Sequence, residues 1–285
     1  MQESADMNSS DPTALRDVMA GLQPSNYLRG LWDRRIFIVA LSTEKIRTRH
    51  QDTFLGGVWH LLNPMLTVGV YFIVFGLVLN SSRGVEHFLA WLAIGVFSYR
   101  LTSNAASSGS SSISSNQGLI RSLRFPRATL PLSVVLGDLY TFRYDLIAVL
   151  LITLIMGVMP SARLLVLPII IVVHATLNVG LALIAARLGD TIRDVQQFIP
   201  FVFRLMQFMS GVIYPLSRFA ESEHHLAYKI LMLNPVAHII EMYRWAFLGT
   251  YVRPSDVGVS VAACLVLLLV GFRYFIGGEA KYGRT

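Results

Sequence analysis

Long apolar stretches alternate with short polar ones along the chain. Six stretches are mainly apolar, and most approach the roughly twenty residues that a helix needs to cross a bilayer core of about 30 Å. They cover residues 56–79, 88–106, 132–159, 164–188, 198–214 and 257–276. The pattern predicts an all-α integral membrane protein with a six-helix transmembrane domain at residues 56–276.

Residues 215–250, between the fifth and sixth stretches, follow a different pattern. Their apolar positions are interrupted by Pro235 and by the charged residues Lys229, Glu241 and Arg244. A broken backbone is tolerated at membrane depth only when it is buried in protein or lines a wet cavity. We therefore expect a re-entrant helical pair at the outer face, before the last span.

Apolar residues recur at helical spacing in residues 25–50, which predicts an amphipathic cytoplasmic interfacial helix. Trp32 and Phe37 would anchor it among lipid headgroups, while basic residues face anionic lipid. A helix packed on the protein's own cytoplasmic side is the open alternative. Residues 1–24 are polar and predicted to be a disordered tail, and residues 277–285 are predicted to be a second cytoplasmic tail.

Charge gives the orientation of the spans. Of 24 Lys and Arg residues, most fall in the segments on the side of the two termini, which predicts that both termini are cytoplasmic. The composition is 54% hydrophobic and 14% charged, which argues against disordered and disulfide-rich secreted classes. The first 23 residues lack an apolar core, so we expect the first span to direct insertion without a cleavable signal.

Several chemistries lack their sequence signatures. The phosphate-binding motif of an ATPase requires Gly-Lys, and this dipeptide does not occur in the chain. We therefore expect no nucleotide site here and no enzyme activity. His224–His225, beside two glutamates, leaves open a metal site or, with better support, a solvated loop. Cys264 is the one cysteine, so it forms no internal disulfide.

A serine-rich stretch at residues 103–118 has two interpretations. A buried hydroxyl with His174 as its base would suit an intramembrane hydrolase, but G-x-S-x-G spacing is missing. The better supported interpretation is a wall of small hydroxyl residues that lets helices approach and offers hydrogen bonds to a polar substrate. Ionisable residues at membrane depth either pair structurally or line such a pathway, and an ion-coupled carrier would use them as relays. These residues are Arg100, Asp138, Arg143, Asp145 and Arg204.

Four segments together resemble the membrane subunits of type-two ABC exporters that move lipid-linked polysaccharides and teichoic acids. The first runs from Arg49 to Pro64 and matches R-x-x-x-[ST]-x-L-G-x-x-W-x-x-L-x-P. The others are Gly118–Pro131, with its Phe-Pro-Arg core, then Arg193–Asp194, then Asn234–Pro235 followed by Tyr243–Arg244 and Gly249. One departure is Gly211, where the family usually has proline after serine.

The resemblance implies a homodimer joined to two cytosolic ATPase subunits that bind ATP and Mg, with no cofactor on this chain. It places the coupling loop at residues 117–131, with contacts from Leu119, Ile120, Arg121, Arg124, Phe125, Pro126 and Arg127. Independently, three arginines around Leu123 and Phe125 resemble an interface knob with a charged rim. Pro126 and Pro131 would stiffen this loop.

The implied function is export of a polyprenyl-diphosphate-linked cell-envelope polysaccharide across the bacterial inner membrane. Arg47, Arg49 and Arg121 would attract the diphosphate at the entrance, because arginine matches phosphate geometry. The expected pathway lining is Tyr71, Tyr99, Ser103, Asn104, Ser107 and Tyr140, and the expected outer gate is Tyr214, Pro215, Asn234, Pro235, Tyr243 and Arg244. The alternatives are an ion- or proton-coupled secondary transporter and a small-molecule or lipid exporter of the same fold.

Overall fold

A computed structural model describes residues 24–48, 56–79, 84–215 and 231–282, and these ranges contain helices but no β-strand. The helices in chain order are α1 (Pro24–Asp33), α2 (Arg35–Thr48), α3 (Trp59–Tyr71), α4 (Phe88–Ser111), α5 (Gln117–Ser122), α6 (Thr129–Ile155), α7 (Leu167–Thr191), α8 (Val195–Met209), α9 (Pro235–Leu248) and α10 (Pro254–Ile276). A π-helical segment, Phe72–Val78, extends α3, and a short 3-10 turn, Glu279–Lys281, follows α10. The predicted all-α class is confirmed for this part of the chain.

Among the described helices, three are long and apolar enough to cross a membrane: Trp59–Val78, Ala162–Thr191 and Pro254–Ile276. They correspond to the first, fourth and sixth predicted spans. Helices α4 and α6 have 24 and 27 residues, but α4 contains Arg100 and part of the serine-rich stretch, and α6 contains three ionisable side chains. Helix α8 has 15 residues and is about 22 Å long. The count of six spans therefore stays a prediction.

Helix α4 lies at the centre of the bundle and packs against α6, α7, α8 and α9. Its first half, residues 88–99, is buried at every position except Leu89. Small residues permit close packing in its second half, where a Cβ atom on Gly109 would lie 2.8 Å from the Cα of Ala182 in α7. That second half keeps one open side, which begins at Arg100 and is polar.

Helices α7 and α10 cross through a pair of glycines. A Cβ atom on Gly271 would lie 2.5 Å from the carbonyl oxygen of Gly180, and one on Gly180 would lie 2.7 Å from the backbone of Leu267. Neither position therefore accepts a side chain without moving a helix. Such small-residue contacts allow backbones to approach in a membrane, where packing rather than hydrophobicity drives association.

The N-terminal segment contains two helices, whereas the sequence predicted one within residues 25–50. The chain turns at Arg34, whose amide donates to the Leu31 carbonyl before α2 begins. One side of α1 is buried, including Tyr27 and Leu31, while Trp32 on the other side is 68% exposed. Packing on the protein's own helices is thus observed, and lipid contact on the exposed side stays a prediction.

Helix α9 starts and ends with recognisable caps. The Asn234 side chain accepts a hydrogen bond from the Val236 amide, and Pro235 occupies the first turn. Gly249 ends the helix with φ of 74°, a left-handed conformation that favours glycine. Helix α9 is the second half of the predicted re-entrant pair, and residues 216–230 of the first half lie outside the described ranges.

Candidate functional site

The coupling segment, residues 117–131, connects α4 to α6 and begins with α5. Its backbone becomes extended at Leu123, where ψ is 144°. Three large side chains are exposed on this turn: Arg121, Leu123 and Arg124. Because Leu123 is 50% exposed, the segment presents one apolar side chain between two cations.

Phe125 and Arg127 are half-buried and thus less exposed than this group, while the predicted knob and rim stay a prediction. The ring centroid of Phe125 lies 5.4 Å from that of Phe37 in α2, and Phe125 is half-buried. This contact also places Phe37 against the protein rather than among lipid headgroups. Leu119 and Ile120 are partly buried and pack on the apolar cluster beneath the segment. Aromatic packing on α2 therefore reduces the exposure of Phe125.

Arg127 fixes the coupling segment to the end of the chain. Its amide donates to Glu279 Oε1 over 2.7 Å, and its Nη1 donates to the Glu279 carbonyl over 2.6 Å and to the Tyr282 carbonyl. On the N-terminal side, the Tyr27 hydroxyl accepts from the Ala128 amide over 3.3 Å. The segment is thus held by residues from both ends of the described chain, and Glu279 and Tyr282 pack against it.

Burial governs the protonation of this clamp. Burial raises the pKa of the Glu279 carboxyl above its usual value, while the Arg127 amide and the Tyr27 hydroxyl counteract the rise. The pKa values of Tyr27 and Tyr282 are also raised, mainly by burial, so both remain neutral. Sequence reasoning missed Tyr27, Glu279 and Tyr282. Glu279 is 152 positions from its partner Arg127, and no motif links the two.

The predicted diphosphate entrance is only partly within the described structure. Arg121 is exposed on α5, at the surface where the entrance was expected. Arg47 belongs to α2, but its side chain lies outside the description, and Arg49 lies outside the described residues. Whether the three come together therefore stays a prediction.

Three of the predicted pathway residues share the open side of α4. Asn104 is exposed, and Ser103 and Ser107 are half-buried beside it. Their spacing of three and four places them on one helix face, which continues from Arg100 toward the coupling segment. This face opens between α6, which contacts Arg100, and α8, where Gln196 donates to Ser114 over 3.0 Å.

The three predicted pathway tyrosines are positioned differently. Tyr99 is 3% exposed, and its hydroxyl donates to the Phe203 carbonyl of α8, so it joins two helices and does not line an open surface. Tyr71 is half-buried, with its ring stacked 5.9 Å from that of Phe75. Tyr140 is also half-buried on α6.

The membrane-depth charges pair in an arrangement that the sequence left open. Arg100 of α4 forms an ion pair with Asp145 of α6, and the two side chains are 29% and 4% exposed. The Arg100 guanidinium also lies 5.4 Å from the Phe97 ring centroid. Arg143, the cation nearest Asp145 in sequence, is exposed and instead donates to the Tyr144 hydroxyl over 3.0 Å.

Arg244 is the central residue of the predicted outer gate. It is completely buried, and its Nη1 donates to Glu241 over 2.7 Å. Its other nitrogens donate to the carbonyl oxygens of Gly211 over 3.0 Å and Trp91 over 3.4 Å. The guanidinium carbon lies 3.3 Å from the Trp91 ring centroid. One side chain therefore joins α9 to α4 and to the loop after α8. Gly95 leaves room for it, since a Cβ there would lie 2.7 Å from Nη2.

The remaining gate residues strengthen the same junction. Asn234 donates through Nδ2 to Ser210 over 2.8 Å, and the Tyr214 hydroxyl donates to the Phe208 carbonyl. Pro215 follows directly and is half-buried. Gly211 has φ of 66°, which proline cannot adopt because its ring fixes φ near −65°. Glycine in place of the usual family proline therefore permits a left-handed backbone at this position.

Tyr243 belongs to a buried cluster rather than to the gate surface. His174 Nε2 lies 2.7 Å from Thr102 Oγ1, and its Nδ1 lies 3.4 Å from the Tyr243 hydroxyl. All three side chains are at most 1% exposed, so water and substrate do not reach them. This enclosure argues against the hydrolase alternative.

In the described ranges, no three His, Cys, Asp or Glu side chains are grouped to hold a metal, and His224–His225 lie outside those ranges.

A sequence profile for ABC-2 type transporters matches residues 37–248, most of the chain. This protein belongs to the ABC-2 type transporter family. Family membership and the three apolar helices identify it as an integral membrane protein.

Relatives of this ABC-2 protein have names from polysaccharide export. The O-antigen export system permease protein RfbA of Myxococcus xanthus is 28% identical over 243 residues, covering 85% of this chain and 92% of that protein. An RfbA of Klebsiella pneumoniae is 23% identical over 246 residues, and the polysialic acid transport protein KpsM of Escherichia coli is 24% identical over 249. Each of these covers 86% of this chain and 92% of the relative.

Proposed function

We propose that this chain is the permease subunit of an ATP-driven exporter. It moves a polyprenyl-diphosphate-linked cell-envelope polysaccharide from the cytoplasmic to the outer face of the inner membrane. Membership of the ABC-2 family and the names of its relatives support polysaccharide export. Two copies, each with six spans and both termini in the cytoplasm, would form the membrane part.

The coupling segment is the observation that carries this proposal. It presents Arg121, Leu123 and Arg124 outward, while Arg127 and the Phe125 ring attach the segment to other helices. An apolar anchor flanked by cations suits a groove with acidic edges on a partner protein. Because the segment is held at both sides, a push from that partner would move α6 rather than deform the loop.

The partner in this proposal is a cytosolic ATPase subunit that binds ATP and Mg and hydrolyses the nucleotide. This chain contributes no nucleotide site of its own. The polar face of α4, with Ser103, Asn104 and Ser107, supports a path for a hydrated glycan, since hydroxyl and amide groups replace water hydrogen bonds. The lipid tail would remain in the bilayer while the head group crosses.

The test is to purify the tagged chain from its native membrane in mild detergent and to identify and weigh the complex. The expected result is an ATPase subunit with two copies of each chain. Isolation without any nucleotide-binding protein in several gentle detergents would overturn the proposal and favour the ion-coupled carrier. A small-molecule exporter of the same fold would retain the ATPase but show no lipid-linked glycan accumulating on depletion.

A point substitution sharpens this test. Leu123→Asp is expected to lower recovery of the ATPase at least tenfold, because it places a charge at the apolar anchor of the interface. Leu233→Asp is the matched control, since Leu233 is 80% exposed at the outer end. Equal recovery of the ATPase with both variants would contradict docking at the coupling segment.

A further inference from the structure

The Arg100–Asp145 pair lies at the end of the open polar face that is farthest from the coupling segment. Counting from Phe88, Arg100 is about 18 Å along α4, and counting back from Ile155, Asp145 is about 15 Å along α6. With a bilayer core of about 30 Å, the pair lies near mid-membrane. Residues 88–99 beyond it are enclosed except at Leu89, whereas the polar face extends from Arg100 toward the coupling segment.

The two partners differ in what they can still bind. Asp145 is 4% exposed and accepts from Arg100, so it has little access to the open face. Arg100 uses one terminal nitrogen for Asp145, and its side chain remains 29% exposed. A guanidinium has five N–H donors, so donors remain for a second acceptor. The guanidinium of Arg100 is therefore partly accessible from the open face, although it is paired with Asp145.

We propose that Arg100 is an oxyanion-binding station halfway along the transport path, with Asp145 as its resting partner. This inference rests on the proposed function. A phosphate or carboxylate on the transported molecule binds the free donors of Arg100 and draws the guanidinium away from Asp145. Arginine suits this exchange because its planar fork matches both groups bidentately.

Asp145 gives the station its reversibility. When the path is empty, the carboxylate compensates a cation that would otherwise be costly at membrane depth. When an anion arrives, Asp145 competes with it, so binding is weak enough for release. Transport requires this balance, since a site that binds too tightly does not pass its substrate on.

The test measures binding to the purified full-length chain, with its ATPase if one co-purifies, in lipid nanodiscs. The probes are farnesyl diphosphate, which has the lipid-linker chemistry, and a short oligogalacturonate, which has acidic sugars without lipid. Farnesol is the uncharged control. The anionic probe whose binding weakens when Arg100 is substituted identifies the source of the oxyanion.

Opposite effects of the two partners are the expected signature. Arg100→Gln should weaken binding about tenfold or more, and Asp145→Asn should strengthen it, because the arginine loses its competitor. Arg100→Lys should bind with intermediate affinity. A purely structural pair predicts instead that Arg100→Gln and Asp145→Asn impair folding and binding alike, a result that would overturn the station.

Further variants separate folding from binding. The double variant Arg100→Gln with Asp145→Asn removes both charges, so it should fold with normal thermal stability and still bind weakly. Arg253→Gln, an exposed outer arginine, controls for loss of one positive charge. Unchanged binding of both anionic probes in the double variant overturns the station but leaves the proposed function standing. Wild-type protein that binds neither anion better than farnesol also overturns the station, whereas the proposed function is overturned separately, by isolation of the chain without any nucleotide-binding protein.

Discussion

Arg244→Met tests whether one buried side chain holds α9 against α4 and the loop after α8. Methionine approximates the volume of the arginine stem but donates no hydrogen bond. The change leaves the Gly211 carbonyl without its donor, at about 1–3 kcal/mol, and removes the longer bond to the Trp91 carbonyl, which lies within α4. It also removes the cation from the Trp91 face, worth about 2 kcal/mol when desolvated.

The Glu241 contact adds little to this sum, because that carboxylate is 35% exposed and can recover water. Water that enters the cavity would donate hydrogen bonds to the carbonyl that lost its donor and so reduce the cost further. We therefore expect a loss of about 3–5 kcal/mol in the free energy of unfolding. Arg244→Lys should lose less, since an ammonium keeps the charge but cannot reach three acceptors in a fork.

The assay is equilibrium unfolding in mixed detergent micelles, with Arg253→Met as the control because Arg253 is exposed at the same end of the molecule. The control should change the free energy of unfolding by less than about 0.5 kcal/mol. An effect of Arg244→Met no larger than the control would refute the view that these contacts hold α9, α4 and the loop after α8 together.

Two further predictions concern helix packing and the clamp. Gly271→Leu should separate α7 from α10 and lower the unfolding midpoint strongly. Gly258→Leu on the same helix is the control, because a side chain there has open space and should leave the midpoint unchanged. Equal midpoints for the two variants would contradict the glycine crossing. Because burial raises the folded-state pKa of Glu279, its contribution to the free energy of unfolding should be largest below pH 4.5, where the carboxyl is protonated in both states, and should fall as the pH rises above that value, as measured by equilibrium unfolding across the pH range. Glu279→Gln should abolish that pH dependence, and a dependence identical to wild type would refute the assignment.

The coupling segment illustrates how far sequence reasoning reached. Its position followed from the basic pattern and the Phe-Pro-Arg motif, and the exposure of Arg121 and Arg124 agrees with the structure. The inward orientation of Phe125 depends on Phe37, which precedes it by almost ninety residues. No local pattern reports such a contact, so the size of the exposed surface was overestimated.

The ionisable residues within the bundle show the same limit. Apolar context indicated that Arg100 and Asp145 require partners or water, because isolated charges are costly at that depth. The sequence left their partners open, and the structure pairs Asp145 with Arg100 from α4 rather than with Arg143, two residues away. Pairing depends on which helices are neighbours and how they are rotated.

The amino-acid sequence by itself determined the helical class, the main apolar helices and the resemblance to the family. These features depend on local composition and on short motifs, which the chain order preserves. The tertiary structure alone decided which side chains remain open: Leu123 at the coupling surface, Asn104 on the polar face, and Arg100 beside its buried partner. It also decided that Tyr99 and Arg244 are internal. Burial is set by contacts between helices distant in the chain, and no periodicity within one helix specifies which neighbour covers it.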